Sequence, residues 1–232
     1  MGIRIAVVGG GGKTSAIRDL AATLTDHRVL WTTTTHIFPE EPTESRVLLV
    51  SPDRETLLSA LTQPGIVCAG ARAREGKLGA LAQPLLEEAA ESAELMLCEA
   101  DGARHLPLKL HRPGEPVVPP KTDCCLMVAG LSALGQTVAS AVHCYGEHPA
   151  WAKEPQRRVG VEEFLFCVEE TVDASGVPRE HSKILLQQEP VLSEREHALE
   201  VFRQLQERGF DCRMAHLSKD RDFLKHWLLP LW

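Results

Sequence analysis

No two cysteines in this 232-residue chain are spaced as C-x-x-C, and the seven present (Cys68, Cys98, Cys124, Cys125, Cys144, Cys167 and Cys212) are odd in number. That pattern disfavours both a zinc knuckle and a disulfide framework. Several sit in apolar runs, where a thiol acts as a small hydrophobe. Reduced, buried thiols are expected, with Cys144, beside Tyr145 in a polar stretch, the most exposed. No basic run offsets the net charge of -7, which argues against a general nucleic-acid binder. No apolar stretch approaches a membrane span; the longest, residues 124–134, is broken by glycine and serine. No secretory leader precedes the first strand pattern, so a cytoplasmic protein is expected. Repeats, low-complexity tracts and clear linkers are also missing. The expected organisation is one domain over residues 1–232, with about 136–180 as a candidate minor lobe.

What is present is concentrated at the start. Hydrophobic content of 44% and charged content of 25% are those of a globular protein with one sizeable core. Residues 3–8, Ile-Arg-Ile-Ala-Val-Val, read as a buried strand running into Gly9, Gly10, Gly11, Gly12, Lys13, Thr14 and Ser15. Strand, glycine loop and Lys-Thr opening a helix is how a chain builds a phosphate cradle. Glycines tolerate the angles that turn successive N–H groups toward one point, and they let a polyphosphate approach the backbone. The helix adds its positive N-terminus. Lys13 is expected to reach the β/γ-phosphates and the Thr14 hydroxyl to hold Mg²⁺. The loop is short, however: G-x-x-G-K-T from Gly9 to Thr14, with Val7 where a full Walker A loop has its first glycine.

Strand and helix patterns then alternate. Helices are expected at 13–26, 54–61, 84–93, 160–168 and 193–208, and strands at 28–33, 46–50, 66–70, 95–98, 124–129, 183–187 and 212–217. Residues 71–81 read as a hairpin or exposed loop, 103–122 as a proline-rich loop and 135–158 as irregular. Alternation of this kind implies an α/β fold of the P-loop NTPase-like class, a mainly parallel sheet with helices on both faces.

A phosphate cradle needs an acidic partner for its metal, and the strand at 95–98 leads into Glu99 and Asp101. Both are expected to serve metal and catalysis, since ligands bind at the carboxyl edge of such sheets. The Thr32–Thr35 run ends a neighbouring strand, and Thr34 and Thr35 are candidate substrate contacts, although threonine is also simply a good strand residue. His36 is a candidate catalytic base. Downstream, Pro107, Pro113, Pro116 and Pro119 hold a basic segment extended, making Arg104, Lys109 and His111 candidate contacts for a small anionic substrate.

The short loop resembles that of Mur ligases and folylpolyglutamate synthetases, which activate carboxylates with ATP. The chain as a whole resembles the YqeC-type family, accessory proteins of selenium-dependent molybdenum hydroxylases. The resemblance rests on V-V-G-G-G-G-K-T-S, on T-T-T-T-H at 32–36, on C-E-A-D-G-A-R-H-L-P-L-K at 98–109, on E-P-V-V-P at 115–119 and on A-G-L-S-A-L-G at 129–135. It implies a role in maturing a selenium-containing molybdenum cofactor, with a molybdenum hydroxylase as partner, more than it implies a named reaction. The chain departs from the family pattern at Cys144, where members often have arginine after the histidine, and at Gln187-Gln188-Glu189, where they often show an N-K-x-D-like segment. That second departure removes the sequence case for GTP and leaves ATP as the default nucleotide, with Mg²⁺.

Two readings stay open. One is an Mg-dependent NTPase or phosphotransferase that activates a small intermediate; the other is a non-catalytic, ATP-gated chaperone or docking protein. At the chain's end, Phe223, Leu224, Trp227, Leu228, Leu231 and Trp232 form an apolar stripe at helical spacing. Such a stripe either packs on the domain or forms a surface for self-association or for docking on a hydroxylase.

Overall fold

The apolar runs lie side by side in a computed structural model, which describes residues 2–39, 42–43, 45–215 and 222–228. In chain order the elements are β1 (Ile3–Gly9), α1 (Lys13–Ala22), β2 (Arg28–Thr33), β3 (Arg46–Val50), α2 (Arg54–Ala60), β4 (Gly65–Arg72) and β5 (Leu78–Gly79). There follow α3 (Gln83–Ser92), β6 (Leu95–Glu99), β7 (Leu108–Lys109), β8 (Cys124–Gly130), α4 (Val138–Ala141), β9 (Val142–His143) and α5 (Pro149–Lys153). The chain continues through α6 (Val161–Ser175), β10 (Ser182–Gln187), α7 (Arg195–Glu207), β11 (Asp211–Met214) and α8 (Asp222–Leu228).

The main sheet has the order β11-β10-β8-β1-β6-β2-β4-β3, with every neighbouring pair parallel and β5 antiparallel to β4. The α/β class and the parallel sheet are thus as expected. Burial on both faces explains why the strands read as continuous apolar runs. Side chains alternate across the sheet. Ile5 and Val7 of β1 pack with Ile17 and Leu20 of α1 and Leu224 of α8. Ala6 and Val8 face the opposite layer, with Phe164 and Val168 of α6 and Val201 of α7. On that second face α2 and α3 cover the other half, through Leu57, Leu86 and Ala89 over Met96 and Cys98. Val138, Ala141 and Trp151, from the candidate minor lobe, share the cluster of Ala6 and Val8.

Several boundaries differ from expectation, each for a local reason. Helix α1 stops at Ala22 rather than 26, because the Thr23 hydroxyl donates to the Leu20 carbonyl (2.8 Å) and the Thr23 N–H closes back on the same oxygen. Helix α6 runs on to Ser175, its apolar face continuing through Thr171 and Val172 until Gly176 adopts φ 66°. The stretch read as irregular contains α4, β9 and α5, all too short to display a period. Strand β7 sits inside the proline-rich loop and pairs with β9, with Lys109 opposite His143. The hairpin at 71–81 forms as β4 and β5. The last strand is described only to Met214, and the end of its expected range at 216–217 lies outside the described residues.

All seven cysteines are free; six are buried, and Cys144 alone is half-buried. Burial pushes the Cys98, Cys124, Cys125 and Cys212 thiols up to about 12. Among the described residues no helix is long and apolar enough to cross a membrane.

The apolar stripe at the chain's end turns inward where it is described. Leu224 and Leu228 are buried, Phe223 stacks on Trp227 with ring centroids 5.6 Å apart, and Trp227 Nε1 donates to Asp211 Oδ1 at 3.0 Å. Leu231 and Trp232 lie outside the described residues. Leu224→Ala is expected to destabilise the fold by about 2–5 kcal/mol, the usual cost of a buried Leu→Ala cavity. Denaturant unfolding measures it, and a midpoint unchanged from wild type would mean that α8 is not part of the core.

Candidate functional site

Strand β1 delivers the glycine loop to the carboxyl edge of the sheet, between β6 and β8. Gly9 has φ 96°, and a Cβ there would collide with the Val128 carbonyl oxygen, so glycine is required. Gly12, the residue before α1, has φ 115° and is likewise barred to other side chains. Gly10 and Gly11 N–H groups donate to Val128 O and Leu106 O, both at 2.9 Å, which fixes the loop against β8 and the segment after Asp101. The Gln187 amide donates to the Gly11 carbonyl from the other side. No side chain caps α1, and Ala16 N–H bonds back to Gly12 O at 3.0 Å. The N–H groups of the first turn are left open, with the helix dipole behind them.

The acidic partner arrives by register. Val7 pairs with Glu99, and alternation along β6 places Glu99 on the same face as Leu95 and Leu97, the face that α1 covers. Glu99 Oε2 therefore accepts from Thr14 Oγ1 at 2.9 Å, while Oε1 lies 3.6 Å from Lys13 Nζ. Lys13, itself buried, donates to the Gly9 carbonyl at 2.6 Å and stands 3.0 Å from Asp101 Oδ1. The expected side-by-side placing of Glu99 and Asp101 thus converges on one ammonium, but the two acids differ in role. Glu99 meets Thr14. Asp101 is fully buried behind the loop, its Oδ2 accepting from Gly9 N–H (2.9 Å) and meeting His111 Nε2 at 2.9 Å. Its Oδ1 has the Lys13 charge for company but no well-directed hydrogen bond.

Behind Asp101 the charges continue. His111 Nδ1 lies 2.9 Å from Glu170 Oε2 on α6, and Lys109 Nζ donates to Gly102 O (2.9 Å) and Glu115 Oε2 (2.8 Å). Burial alone would raise Asp101, yet Lys13, then His111 and Lys109, hold it well below the ordinary carboxylate range. For Lys13 burial works downward, and the charges of Asp101 and Glu99 outweigh it, so the ammonium titrates above its usual value. Glu99 goes the other way: burial raises it, and Lys13 and Thr14 offset this only in part. His111 is raised above 6.5, since its two carboxylate partners overcome burial.

A cavity of about 200 Å³ opens above the loop, lined by Gly11, Gly12, Lys13, Thr14, Glu99, His36, Phe38, Lys77, Arg104 and His105 among others. Of the three candidate contacts in the basic segment, Arg104 lines it beside His105, while Lys109 and His111 are turned inward as just described. Neither Thr34 nor Thr35 is in the lining. Thr34 Oγ1 donates to Val117 O (2.6 Å), Thr33 Oγ1 to Glu99 O (2.8 Å), and Thr35 leans back on Thr33, so the run ties the strand ends together. His36 is exposed at the rim. Among the described residues no cluster of three or more His, Cys, Asp or Glu side chains could hold a metal by itself. Thr14 and Glu99 bring a hydroxyl and a carboxylate to the cavity lining.

Four contributors escaped the sequence reading. Lys77 and Phe38 line the cavity because the bridge between Ile37 and Leu78 brings the β4–β5 hairpin beside the segment after β2. Gln187 was noted only for the residue type it replaces. Glu170 carries no local signal at all, being one acid among several on α6.

His111 gives a testable sign. A base whose folded value is raised stabilises the fold fully below 6.5, its unfolded value, and loses that contribution as pH rises through the folded value. The stability difference between wild type and His111→Gln is therefore expected to narrow as pH is raised above 6.5. Urea unfolding of both proteins across the range checks it; a constant or widening gap would refute the charged assignment.

Comparison with known proteins bears on the part of the chain that holds the loop. A family model described as YqeC protein matches residues 5–146, which includes Gly9 to Thr14, Glu99, Asp101 and His111 but stops short of Glu170 and Gln187. The chain is also 37% identical over 142 residues to "Uncharacterized protein YqeC" of Escherichia coli (strain K12), across 59% of this chain and 55% of that protein. It therefore spans about half the length of the curated relative it matches. No solved structure matches. With more than half of its length covered by the family model, the chain belongs to the YqeC protein family.

Proposed function

We propose that this protein binds ATP with Mg²⁺ at the glycine loop and uses it as an NTPase or phosphotransferase on a small anionic intermediate in the cytoplasm. The observation that carries the reading is the uncapped start of α1 meeting Lys13, Thr14 and Glu99 at one cavity. The residues fit the cofactor in two respects. Gly11 and Gly12, at φ 71° and 115°, bring bare backbone to the cavity wall, where a polyphosphate can approach it closely. The Thr14 hydroxyl and Glu99 carboxylate are hard oxygen donors, and Mg²⁺ at phosphate sites takes one or two such ligands and completes its shell with water and phosphate.

In this reading the first-turn N–H groups and Lys13 hold the β- and γ-phosphates, and Thr14 and Glu99 hold the metal. Bound Mg²⁺ supplies neutralisation of charge on the transferring phosphate. Lys13 carries its proton throughout, because Asp101 and Glu99 keep the ammonium charged. Arg104 and His105 close the rim from the segment after Asp101, and His36 faces the cavity from β2's end. Glu99, whose carboxyl burial raises above its usual value, can either stay with the metal or take a proton from an attacking hydroxyl. Service to selenium-dependent molybdenum hydroxylases is the setting that the YqeC resemblance suggests; it rests on that resemblance alone.

A second reading, the ATP-gated docking protein, is favoured by one observation. Asp101 touches Gly9 and Lys13 on one side and is joined through His111 to Glu170 of α6 on the other. Any anion that draws Lys13 away from Asp101 alters the charge balance at that helix.

Lys13→Ala is expected to weaken Mg-ATP binding at least tenfold, about 1.4 kcal/mol, with His111 remaining to neutralise Asp101 so that the fold survives. Calorimetry on protein with a native circular dichroism spectrum measures this, and unchanged affinity would end the phosphate-cradle reading. Glu99→Gln is expected to lower metal-dependent hydrolysis while leaving ATP binding largely intact. Wild-type protein with no turnover on any nucleotide would shift the balance to the docking protein. Competition among ATP, GTP and CTP for one labelled analogue is expected to show no strong preference for guanine, since Gln187 is spent on Gly11; a clear GTP preference would contradict it.

A further inference from the structure

A second groove adjoins the cavity over the glycine loop. It is lined by His36 and Lys77, which also line the first cavity, and by Arg72, Arg74 and Glu75 of the β4–β5 hairpin. We infer that this groove binds the phosphate group of a second, phosphorylated small molecule, held beside the glycine-loop cavity. The inference rests on the phosphate-cradle reading for the neighbouring site, and it deepens that reading by giving the substrate's class.

The charge distribution supports it. The chain carries 32 acidic against 25 basic residues, Lys plus Arg, and several surface arginines elsewhere pair with carboxylates: Arg54 with Glu88, Arg157 with Glu163, Arg203 with Glu200 and Arg208 with Glu169. Arg72 and Arg74 are exposed, and among the described residues neither guanidinium has a carboxylate partner. The one acid in the lining, Glu75, is drawn to Lys77 at 3.6 Å. A guanidinium offers paired N–H donors that match phosphate oxygens, and two of them on one turn suit a tetrahedral anion better than a point charge.

The groove is also rigid where it needs to be. The turn is closed by Ala73 N–H to Lys77 O (2.9 Å) and Lys77 N–H to Arg74 O (3.1 Å), with Arg72 N–H held by Ser51 Oγ at 2.8 Å. Its far side is pinned to the segment of His36 by reciprocal bonds between Ile37 and Leu78, at 3.0 and 2.8 Å. Lys77 Nζ sits 4.9 Å from the centre of the Phe38 ring, which fixes its stem between the two cavities. A phosphorylated molecule with its anion on Arg72 and Arg74 would extend past Lys77 and His36 toward Glu99.

The test fills the glycine loop first. Wild-type protein saturated with Mg²⁺ and a non-hydrolysable ATP analogue is titrated with inorganic phosphate by calorimetry, beside the double variant Arg72→Gln/Arg74→Gln. The expected result is saturable phosphate binding to wild type, weakened at least tenfold in the double variant, with analogue affinity within twofold. No saturable binding to wild type, or equal binding in both, would overturn the groove while leaving the nucleotide reading intact. Should the analogue itself fail to bind, the nucleotide reading falls, and the titration is repeated on Lys13→Ala protein with and without the two arginine changes. Phosphate binding lost with the arginines would then uphold the groove, and binding retained without them would remove it.

Discussion

The loop end of this sheet is organised around one carboxylate that never meets water. Asp101 brings a negative charge into a space where an isolated ion would cost several kcal/mol. It is sustained by Gly9 N–H, Lys13, Lys109 and His111. Each of those partners is thereby constrained in turn. Gly9 is drawn toward the strand that precedes Asp101, which sets the entry angle of the glycine loop. Lys13 is folded inward over the Gly9 carbonyl instead of reaching into solvent, and His111 is aligned so that its other nitrogen finds Glu170. Without Asp101 the loop, the lysine and the basic segment would have no common reference point.

Sheet register completes what the charge begins. Because Val7, Thr33 and Glu99 are level across β1, β2 and β6, the three strand ends finish together. A shift of one residue in β6 would turn Glu99 away from α1 and bring Cys98 beneath Thr14. The threonine run guards against this: Thr33 and Thr34 both bond to the Glu99 carbonyl, one by its hydroxyl and the other by its N–H. Their bonds keep the strand ends level beside the cavity.

Much of this could be read from the sequence, and the rest could not for identifiable reasons. The parallel sheet was legible because strands buried on both faces are written as unbroken apolar runs. The glycine loop was legible because its function depends on residues consecutive in the chain. Glu99 followed from its position at the end of such a run. Lys109 and His111, expected as contacts for an anionic substrate, turn inward because their partners, Glu115 and Glu170, are set by how the proline-rich segment folds back against α6, and nothing local records that. Lys77 was missed for the same kind of reason: only the pairing of Ile37 with Leu78 brings the hairpin to the cavity. Charge in a loop tells the reader that a partner is needed, but the partner's identity is a property of the tertiary fold.

The distribution of sulfur has a practical consequence. Six thiols lie in the interior, four of them pushed to about 12 by burial, while Cys144 is half-buried at the start of a surface turn beside β9. A maleimide probe applied to the native chain will therefore mark one place without any engineered cysteine. That place follows His143, which stands level with Lys109 and so close to the charges behind the glycine loop. The wild-type molecule thus carries its own attachment point for a fluorophore or spin label, one whose signal would report on events at Asp101 from outside the cavity.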